Sequence, residues 1–246
     1  MNALEIDGLV KRHGARAALA NVSLAVPSGQ FLALVGPSGS GKTTLLKSIN
    51  RLVEPDEGAI RVAGRYVRDV PLAELRHGIG YVIQSIGLFP HMSVAENIGI
   101  VPRLMADKSA DRTAELLELV ALPPDMGSRY PRELSGGQAQ RVGFARALAA
   151  GPKLMLMDEP FGALDPVTRD SLGHAYRDLH DRLGLTTLMV THDIAEALLL
   201  ADRIVVLIDG RIRADGTPAQ LLASDDADVK AMIDVPRRQA ERLASL

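Results

Sequence analysis

The sequence contains no cysteine and no tryptophan, and it has only four tyrosines and four phenylalanines. Without cysteine, neither a disulfide framework nor a thiolate metal site can form, which is typical of a reducing compartment. No run of about 18 apolar residues occurs, and the best candidate, residues 195–208, is interrupted by Glu196, Asp202 and Arg203. The first residues also lack the basic and apolar regions of a signal peptide. We therefore expect a chain that does not cross a bilayer by itself.

The numbers of acidic and basic residues are nearly equal. The chain has 28 basic and 30 acidic residues, which are interspersed and give a formal net charge of -2. No basic block marks a surface for nucleic acid or anionic lipid, so we expect no nucleic-acid partner. Apolar residues are plentiful, at 47% of 246 residues. That content and length suit one large α/β domain.

Short continuous apolar runs indicate strands that are buried on both faces, and such strands are typical of a parallel sheet with helices between them. The runs are Phe31–Val35, Gly78–Ile83, Leu154–Met157 and Thr186–Val190. Two further strands are predicted at residues 3–10 and 19–26, on either side of a turn at residues 11–16.

Polar residues follow four of these strands, namely Gly36, Gln84, Asp158 and His192. Ligands of open parallel sheets bind beyond the carboxyl ends of the strands. We therefore expect these four residues to meet in one crevice.

Helical spacing of apolar residues predicts two helices, one with Ala110, Ala114, Leu117 and Ala121 and one with Leu172, Tyr176, Leu179 and Leu183. Gly184 supplies the expected C-cap of the second. Residues 42–52 are also compatible with a helix. Residues 93–150 look mostly helical and lie between two predicted strands, which indicates an inserted helical lobe. The tail from Asp225 is polar, and we expect it to be helical.

A glycine-rich segment lies between the strand at residues 31–35 and the predicted helix. It reads Gly36-Pro37-Ser38-Gly39-Ser40-Gly41-Lys42-Thr43 and fits the phosphate-loop pattern G-x-x-x-x-G-K-[ST]. Its glycines let backbone N–H groups converge on one anion, and the helix N-terminus adds positive potential. We expect Lys42 to reach the β- and γ-phosphates of a nucleotide, Thr43 to ligate Mg²⁺, and Thr44 to contribute to the same site. A plain Gly/Ser turn is the alternative, which the flanking strand and helix disfavour.

Two carboxylates end another apolar run, in Leu154-Met155-Leu156-Met157-Asp158-Glu159-Pro160. We expect Asp158 to hold the magnesium through water and Glu159 to polarise the water that attacks the γ-phosphate. Adjacent residues of an extended chain point in opposite directions, so the two can serve different roles. The alternative is an ordinary acidic turn, which the preceding phosphate loop disfavours.

The segment Leu134-Ser135-Gly136-Gly137-Gln138 narrows the choice among proteins that have a phosphate loop. Ser135 and Gln138 have the spacing of a capping box, and the glycines leave a helix N-terminus open to an anion. A well-capped helix without a ligand is the alternative. With the basic helix that follows, LSGGQAQRVGFARAL, the sequence resembles the ATP-binding-cassette (ABC) family over nearly the whole chain. The resemblance implies that this segment, Ser135, Gly136, Gly137 and Gln138, covers the γ-phosphate that Lys42 of a second copy binds.

The resemblance gives roles to further residues in the family order. Gln84 matches the glutamine that contacts magnesium and the attacking water, and His192 matches the switch histidine at the γ-phosphate. Asp165 matches the loop that crosses to the other subunit. His13 stands where the family usually has an aromatic residue on adenine, and imidazole offers less stacking area, so we expect weaker base discrimination. By itself His192 is also compatible with a structural histidine at a strand end.

The family implies an α/β fold of the P-loop NTPase type, with a RecA-like parallel sheet core, an antiparallel β subdomain and an inserted helical subdomain. It implies a nucleotide-binding domain over residues 1–240, with a helical lobe at 93–150 and a short helical tail at 225–246. Many importers that the sequence resembles carry regulatory CBS domains after the cassette, and we expect none in this sequence. The implied activity is ATP hydrolysis with Mg²⁺, by a homodimer on integral membrane permease subunits. A substrate-binding protein is an indirect partner, and the expected location is peripheral, at the cytoplasmic face of the inner (plasma) membrane.

Residues 49–55 and 79–91 resemble importers of quaternary amines such as glycine betaine, choline and carnitine. The apolar stretch 85–93, with Phe89 and Met92, either fills the core as a buried loop or forms the groove that receives a short permease helix. Only resemblance points to the transported substrate, because the permease and binding protein select it.

Alternative functions remain at this point. They are an importer ATPase for amino acids or other small solutes, a soluble cassette protein of DNA repair or translation, a P-loop kinase and an inactive regulatory module. The soluble cassette proteins usually carry a coiled-coil insert or a second cassette, which this sequence lacks, and a kinase leaves residues 134–138 unexplained. The full set of Lys42, Asp158, Glu159 and His192 argues against an inactive module.

Overall fold

The computed structural model describes residues 1–85, 87–105 and 112–234, which form two β-sheets and the helices around them. The strands are β1 (Asn2–His13), β2 (Arg16–Pro27), β3 (Phe31–Val35), β4 (Glu57–Val62), β5 (Arg65–Tyr66), β6 (Ile79–Val82), β7 (Leu154–Asp158), β8 (Thr186–Val190), β9 (Arg203–Ile208) and β10 (Arg211–Gly216). The helices are α1 (Lys42–Ile49), α2 (Leu72–His77), α3 (Val94–Ile98), α4 (Ile100–Leu104), α5 (Thr113–Leu119), α6 (Gly136–Leu148), α7 (Pro166–Leu183), α8 (Ile194–Leu200) and α9 (Pro218–Leu222). Single turns of 3₁₀ helix cover Pro124–Ser128 and Pro131–Glu133, and residues 227–234 are helical.

The larger sheet has the strand order β10-β9-β3-β8-β7-β6. Neighbours from β9 to β6 are parallel, and β10 is antiparallel to β9. Both faces of its central strands are covered. Met155 and Met157 of β7 enter the core that includes α6 and α7, whereas Leu154 and Leu156 enter the core that includes α1 and the smaller sheet. This two-sided burial explains the continuous apolar runs, and the predicted α/β fold with a parallel sheet is confirmed.

The smaller sheet is antiparallel, with the order β2-β1-β4-β5. Its predicted strands are longer than expected, since β1 reaches His13 and β2 begins at Arg16. The prediction of a turn over residues 11–16 was therefore wrong, and the turn consists of Gly14 and Ala15 alone. Charged side chains in this hairpin face solvent, so apolar periodicity does not reveal its strands.

Two predicted helix ends were also wrong. The helix expected at 42–52 ends at Ile49, and Arg51 follows with a left-handed φ of 54°. The stripe predicted with Ala114, Leu117 and Ala121 is correct for Leu117, but Ala114 is exposed and Ala121, with φ of 55°, lies beyond the end of α5. Leu116 and Leu117 are the apolar residues that α5 buries. The predicted contribution of Ala110 lies outside the described residues.

The predicted helix with Leu172, Tyr176 and Leu179 is confirmed as α7, and all three side chains are buried. Gly184 caps it with a left-handed φ of 59°. Between β6 and β7, the described residues are mostly helical and share the core that includes α6 and α7. Within the described ranges, no helix combines the length and apolarity needed to span a membrane.

Candidate functional site

The phosphate loop joins β3 to α1 at the carboxyl edge of the larger sheet, as the sequence predicts. All three of its glycines have positive φ, namely Gly36 at 149°, Gly39 at 77° and Gly41 at 105°. A Cβ at Gly36 would collide with the carbonyl oxygen of Leu207, and one at Gly41 with that of Ala18. Only glycine fits at these two positions, because the loop lies against the backbone of β9 and β2.

Lys42 is almost completely buried beneath this loop, with 6% of its surface exposed. Its Nζ donates to the carbonyl oxygens of Gly36 at 2.7 Å and Pro37 at 2.9 Å. Burial lowers the pKa of Lys42 from its ordinary value, and the nearby carboxylates of Glu159 and Asp158 partly oppose that shift. The ammonium group is therefore a poorly hydrated donor, which an anion in the loop would stabilise.

Thr43 and Asp158 form a pair of oxygen groups beside the loop. The Thr43 hydroxyl donates to Oδ1 of Asp158 at 3.0 Å, and burial raises the pKa of Asp158, whose exposed fraction is only 3%. Mg²⁺ favours such a site, because it binds one or two protein oxygens together with substrate phosphates. Among the described residues, no cluster of three His, Asp or Glu side chains forms a metal cage. The residues present therefore fit a magnesium ion that is shared with a phosphate ligand.

Three predicted catalytic residues meet at the ends of β6, β7 and β8. Gln84 donates through Nε2 to Oε2 of Glu159 at 3.1 Å, and Nδ1 of His192 lies 3.3 Å from the same oxygen. One carboxylate oxygen thus faces both an amide and an imidazole. The convergence predicted for the strand ends is confirmed: Gln84 and His192 meet at Glu159, Gly36 lines a cavity with His192, and Asp158 contacts the phosphate loop through Thr43.

Asp158 and Glu159 face different partners, but the sequence-based reason for this was wrong. Glu159 is not extended and has a left-handed φ of 46°, while its N–H donates to the carbonyl of Val190 at 2.8 Å. The chain turns immediately after Asp158, and this turn directs the second carboxylate toward Gln84 and His192. A left-handed non-glycine residue is uncommon and often marks a functional site.

A cavity of about 430 Å³ opens between the phosphate loop and the β1–β2 hairpin. Its lining consists of His13, Arg16, Ala18, Ser38, Gly39, Gly41, Lys42, Thr43, Thr44 and Glu159. Ser40 of the same loop is buried. Sequence reasoning missed Arg16, whose Nη2 donates to the Gly39 carbonyl at 3.2 Å. Arg16 pairs with His13 across the hairpin. This pairing can be predicted only when the turn is known to be two residues long.

The Ser135 helix end forms the predicted capping box. Oγ of Ser135 accepts from the Gln138 N–H at 3.3 Å, and the Ser135 N–H donates to Oε1 of Gln138 at 3.0 Å. Gly136 and Gly137 lie near the start of α7, where a Cβ on Gly137 would meet the Thr168 methyl at 2.7 Å. None of residues 135–138 lines the cavity.

Asp165 caps α7 by accepting from the Thr168 N–H at 3.0 Å and does not line the cavity either. Within one chain, the predicted nucleotide-binding residues therefore form two separate groups. One is the cradle beside Lys42, and the other lies around Ser135 and the start of α7.

The segment after Gln84 is held by a buried amide. The Asn97 side chain, with no exposed surface, accepts from the Phe89 N–H at 2.7 Å and donates to the carbonyls of Phe89, Met92 and Ser93 at 3.2, 3.1 and 2.9 Å. The Phe89 ring is 40% exposed. The interpretation as a buried, core-filling loop is thus wrong for Phe89, while Ile86 lies outside the described residues.

Comparisons with known proteins agree on one family. The family model described as ABC transporter matches residues 19–162. The choline transport ATP-binding protein OpuBA of Bacillus subtilis (strain 168) is 52% identical over 223 residues, which cover 89% of this chain and 58% of that protein. The glycine betaine uptake system ATP-binding protein YehX of Escherichia coli (strain K12) is 51% identical over 222 residues, which cover 89% of this chain and 72% of that protein. The chain thus spans little more than half the length of OpuBA.

A solved structure is also similar. It is the dimeric post-hydrolysis state of the ATP-binding cassette MJ0796 bound to ADP and Pi, with a TM-score of 0.76 and 32% sequence identity. The alignment covers 87% of this chain and 98% of that one.

Proposed function

The chain belongs to the ABC transporter family, and from that premise we propose that it is the ATP-hydrolysing subunit of an importer, which acts as a homodimer on a separate permease. The observation that carries the proposal is the contact of Gln84 and His192 with one carboxylate oxygen of Glu159, which lines the same cavity as Lys42. We further propose residues 1–240 as the nucleotide-binding domain, with a lobe at 93–150 and a tail at 225–246.

In this proposal the triphosphate of ATP lies in the loop of residues 36–43, and Lys42 exchanges its two loop carbonyls for β- and γ-phosphate oxygens. The exchange is favourable because a buried ammonium gains charged acceptors in place of neutral ones. Mg²⁺, when bound, neutralises phosphate charge and orients the γ-phosphate. Thr43 and Gln84 would hold it directly and Asp158 through water.

Glu159 orients the attacking water and accepts its proton as the water oxygen bonds to the γ-phosphorus. The bond between that phosphorus and the β–γ bridging oxygen breaks, so ADP leaves with the bridging oxygen. Gln84 holds the water and Glu159 in line, and His192 donates to the γ-phosphate as charge develops on it.

The second group of residues acts on another copy. The Ser135 helix end supplies N–H groups and a positive helix terminus to a γ-phosphate that Lys42 of the partner binds. A two-fold arrangement then holds two ATP molecules between two chains, and Asp165 crosses the interface. The dimer of MJ0796 with ADP and Pi supports this arrangement.

The permease is the expected membrane partner, since the exposed Phe89 ring offers apolar surface on the segment that follows Gln84. The subunit is then peripheral, at the cytoplasmic face of the inner (plasma) membrane, with a substrate-binding protein as an indirect partner. OpuBA is named for choline and YehX for glycine betaine, and we propose quaternary-amine osmoprotectants as the transported class.

The test uses the purified chain and its Glu159→Gln variant. We expect the parent chain to hydrolyse ATP with Mg²⁺, and the variant to lose at least about 10²-fold in turnover, because general-base catalysis contributes on that order. The variant should still bind ATP and become a dimer with ATP but not with ADP, as measured by light scattering after size-exclusion chromatography. A variant that binds ATP and remains monomeric would sink the proposal.

A further inference from the structure

Arg169 on α7 contacts two loops to which the proposed function gives different tasks. Its Nη2 donates to the Leu164 carbonyl at 3.2 Å, and its Nη1 donates to Oδ2 of Asp193 at 3.3 Å. Leu164 directly precedes Asp165, which is proposed to cross the dimer interface, and Asp193 directly follows His192. One guanidinium therefore joins the loop that faces the partner to the backbone that carries the histidine.

Asp193 is itself tightly held. Its Oδ1 accepts from the N–H groups of Ala195 at 2.9 Å and Glu196 at 3.2 Å, which caps α8, and its own N–H donates to the Thr191 hydroxyl at 3.0 Å. The remaining carboxylate oxygen is the one that Arg169 contacts. His192 thus lies between two residues whose positions are set by these bonds.

We infer that Arg169 is a positioning residue for ATP hydrolysis, which holds His192 against Glu159 and the Leu164–Asp165 loop at the same time; the inference rests on the proposed function. The planar guanidinium group of arginine can donate to a carbonyl and to a carboxylate at the same time, whereas the lysine ammonium group is a single point charge.

The chain offers a matched control on the same helix. Arg177 also joins a carbonyl to a carboxylate, donating through Nη1 to the Leu200 carbonyl at 2.9 Å and to Oδ1 of Asp202 at 2.8 Å. It does not line the cavity beside Lys42. Arg177→Lys therefore repeats the chemical change of Arg169→Lys away from the proposed catalytic residues.

The experiment measures kcat and KM for ATP in both variants, together with the imidazole NMR resonances of His192 without nucleotide. We expect Arg169→Lys to lower kcat about tenfold and to leave KM within about twofold, because misplacing a catalytic group affects the transition state more than ground-state binding. The His192 resonances should shift in this variant. In Arg177→Lys, neither kcat nor the resonances should change.

Unshifted His192 resonances in Arg169→Lys, or an equal loss of kcat in both variants, would overturn the inference. A parent chain that fails to hydrolyse ATP, while Arg169→Lys alone still shifts His192, would instead overturn the proposed function and leave the positioning contact in place. Thermal unfolding of both variants checks that each is folded. Lysine keeps a positive charge at position 169, so the carboxylate of Asp193 still has a cation beside it.

Discussion

At the scale of single residues, burial shifts the pKa of two ionisable side chains in the proposed site. Burial lowers the pKa of Lys42 and raises that of Asp158, so both shifts disfavour the charged forms. In the proposed site, a bound phosphate would stabilise the charged form of Lys42, and a bound divalent cation would stabilise the charged form of Asp158. His180, which lies outside the cavity beside Lys42, is another side chain whose pKa burial shifts against the charged form.

His180 is 1% exposed, and its Nδ1 lies 3.0 Å from the Thr187 hydroxyl, while its ring packs on Phe31 with centroids 5.2 Å apart. Burial, and then the charge of Arg177, lower its pKa below the ordinary value of 6.5. Above that value the imidazole is neutral in both states and costs nothing. Below that value, the unfolded chain binds a proton that the folded chain does not bind. The free energy of unfolding therefore decreases as the pH decreases.

We predict that the free energy of unfolding decreases more between pH 7.5 and pH 5.5 in the parent chain than in His180→Gln, which cannot take up this proton. The difference is at most about 1.4 kcal/mol for each pH unit below the ordinary pKa. Urea unfolding of both proteins at the two pH values measures it. The same pH dependence in both proteins would exclude His180 as the cause.

At the scale of elements, short helices and loops depend on individual polar contacts. Helix α3 is only five residues long, yet Asn97 within it fixes the segment that carries Phe89 and Met92. Helix propensity cannot stabilise so short an element. The position of the segment after Gln84 therefore depends on one side-chain amide.

Asn97→Ala should lower the free energy of unfolding by about 2–4 kcal/mol, because several backbone groups of the segment lose their partner. Asn50→Ala is the control. Asn50 is 4% exposed, and its Oδ1 has no hydrogen-bond partner among the described residues, so we expect a smaller loss. Urea denaturation of both variants measures the difference, and equal losses would show that the Asn97 bonds add nothing beyond burial.

Sequence reasoning predicted best those elements in which every residue has the same burial or the same local backbone requirement. Strand β3 was predicted to the residue because both of its faces are buried. The phosphate loop was predicted because neighbouring backbone leaves room only for glycine at Gly36 and Gly41, which gives the loop a local sequence pattern. Helix ends were missed where a left-handed residue follows the helix, as at Arg51 and Ala121, because apolar spacing does not report backbone conformation. The shared contact of Gln84 and His192 on Glu159 joins three distant segments, so no local pattern gives its geometry.

At the scale of the whole molecule, the proposed site is divided between two surfaces of one chain. The cradle beside Lys42 and the helix end at Ser135 do not meet within a protomer. Each protomer is then incomplete, and two copies in a two-fold arrangement complete two sites at once. Such a division can be tested by complementation.

We predict that, with Glu159→Gln in both chains, Lys42→Ala and Ser135→Arg variants each fail to dimerise with ATP, whereas their mixture forms heterodimers. The heterodimer has one intact site, made by the phosphate loop of the Ser135→Arg chain and the helix end of the Lys42→Ala chain. Tagging the two chains differently and measuring co-elution with ATP detects it, with ADP as the control. Dimerisation of either variant alone would contradict the division.

The seat of the phosphate loop on the backbone of β2, at Ala18 beneath Gly41, has a practical consequence. In the proposed site, main-chain geometry positions the phosphates, while the nucleobase would meet side chains of the hairpin, His13 and Arg16, of which Arg16 also donates to the Gly39 carbonyl of the loop. A smaller residue at His13 would therefore make room for a bulky synthetic purine and leave the contact of Arg16 with the phosphate loop in place. We expect a subunit altered in this way to hydrolyse a synthetic purine triphosphate, so that one transporter could be activated selectively in a cell that contains other ATP-driven transporters.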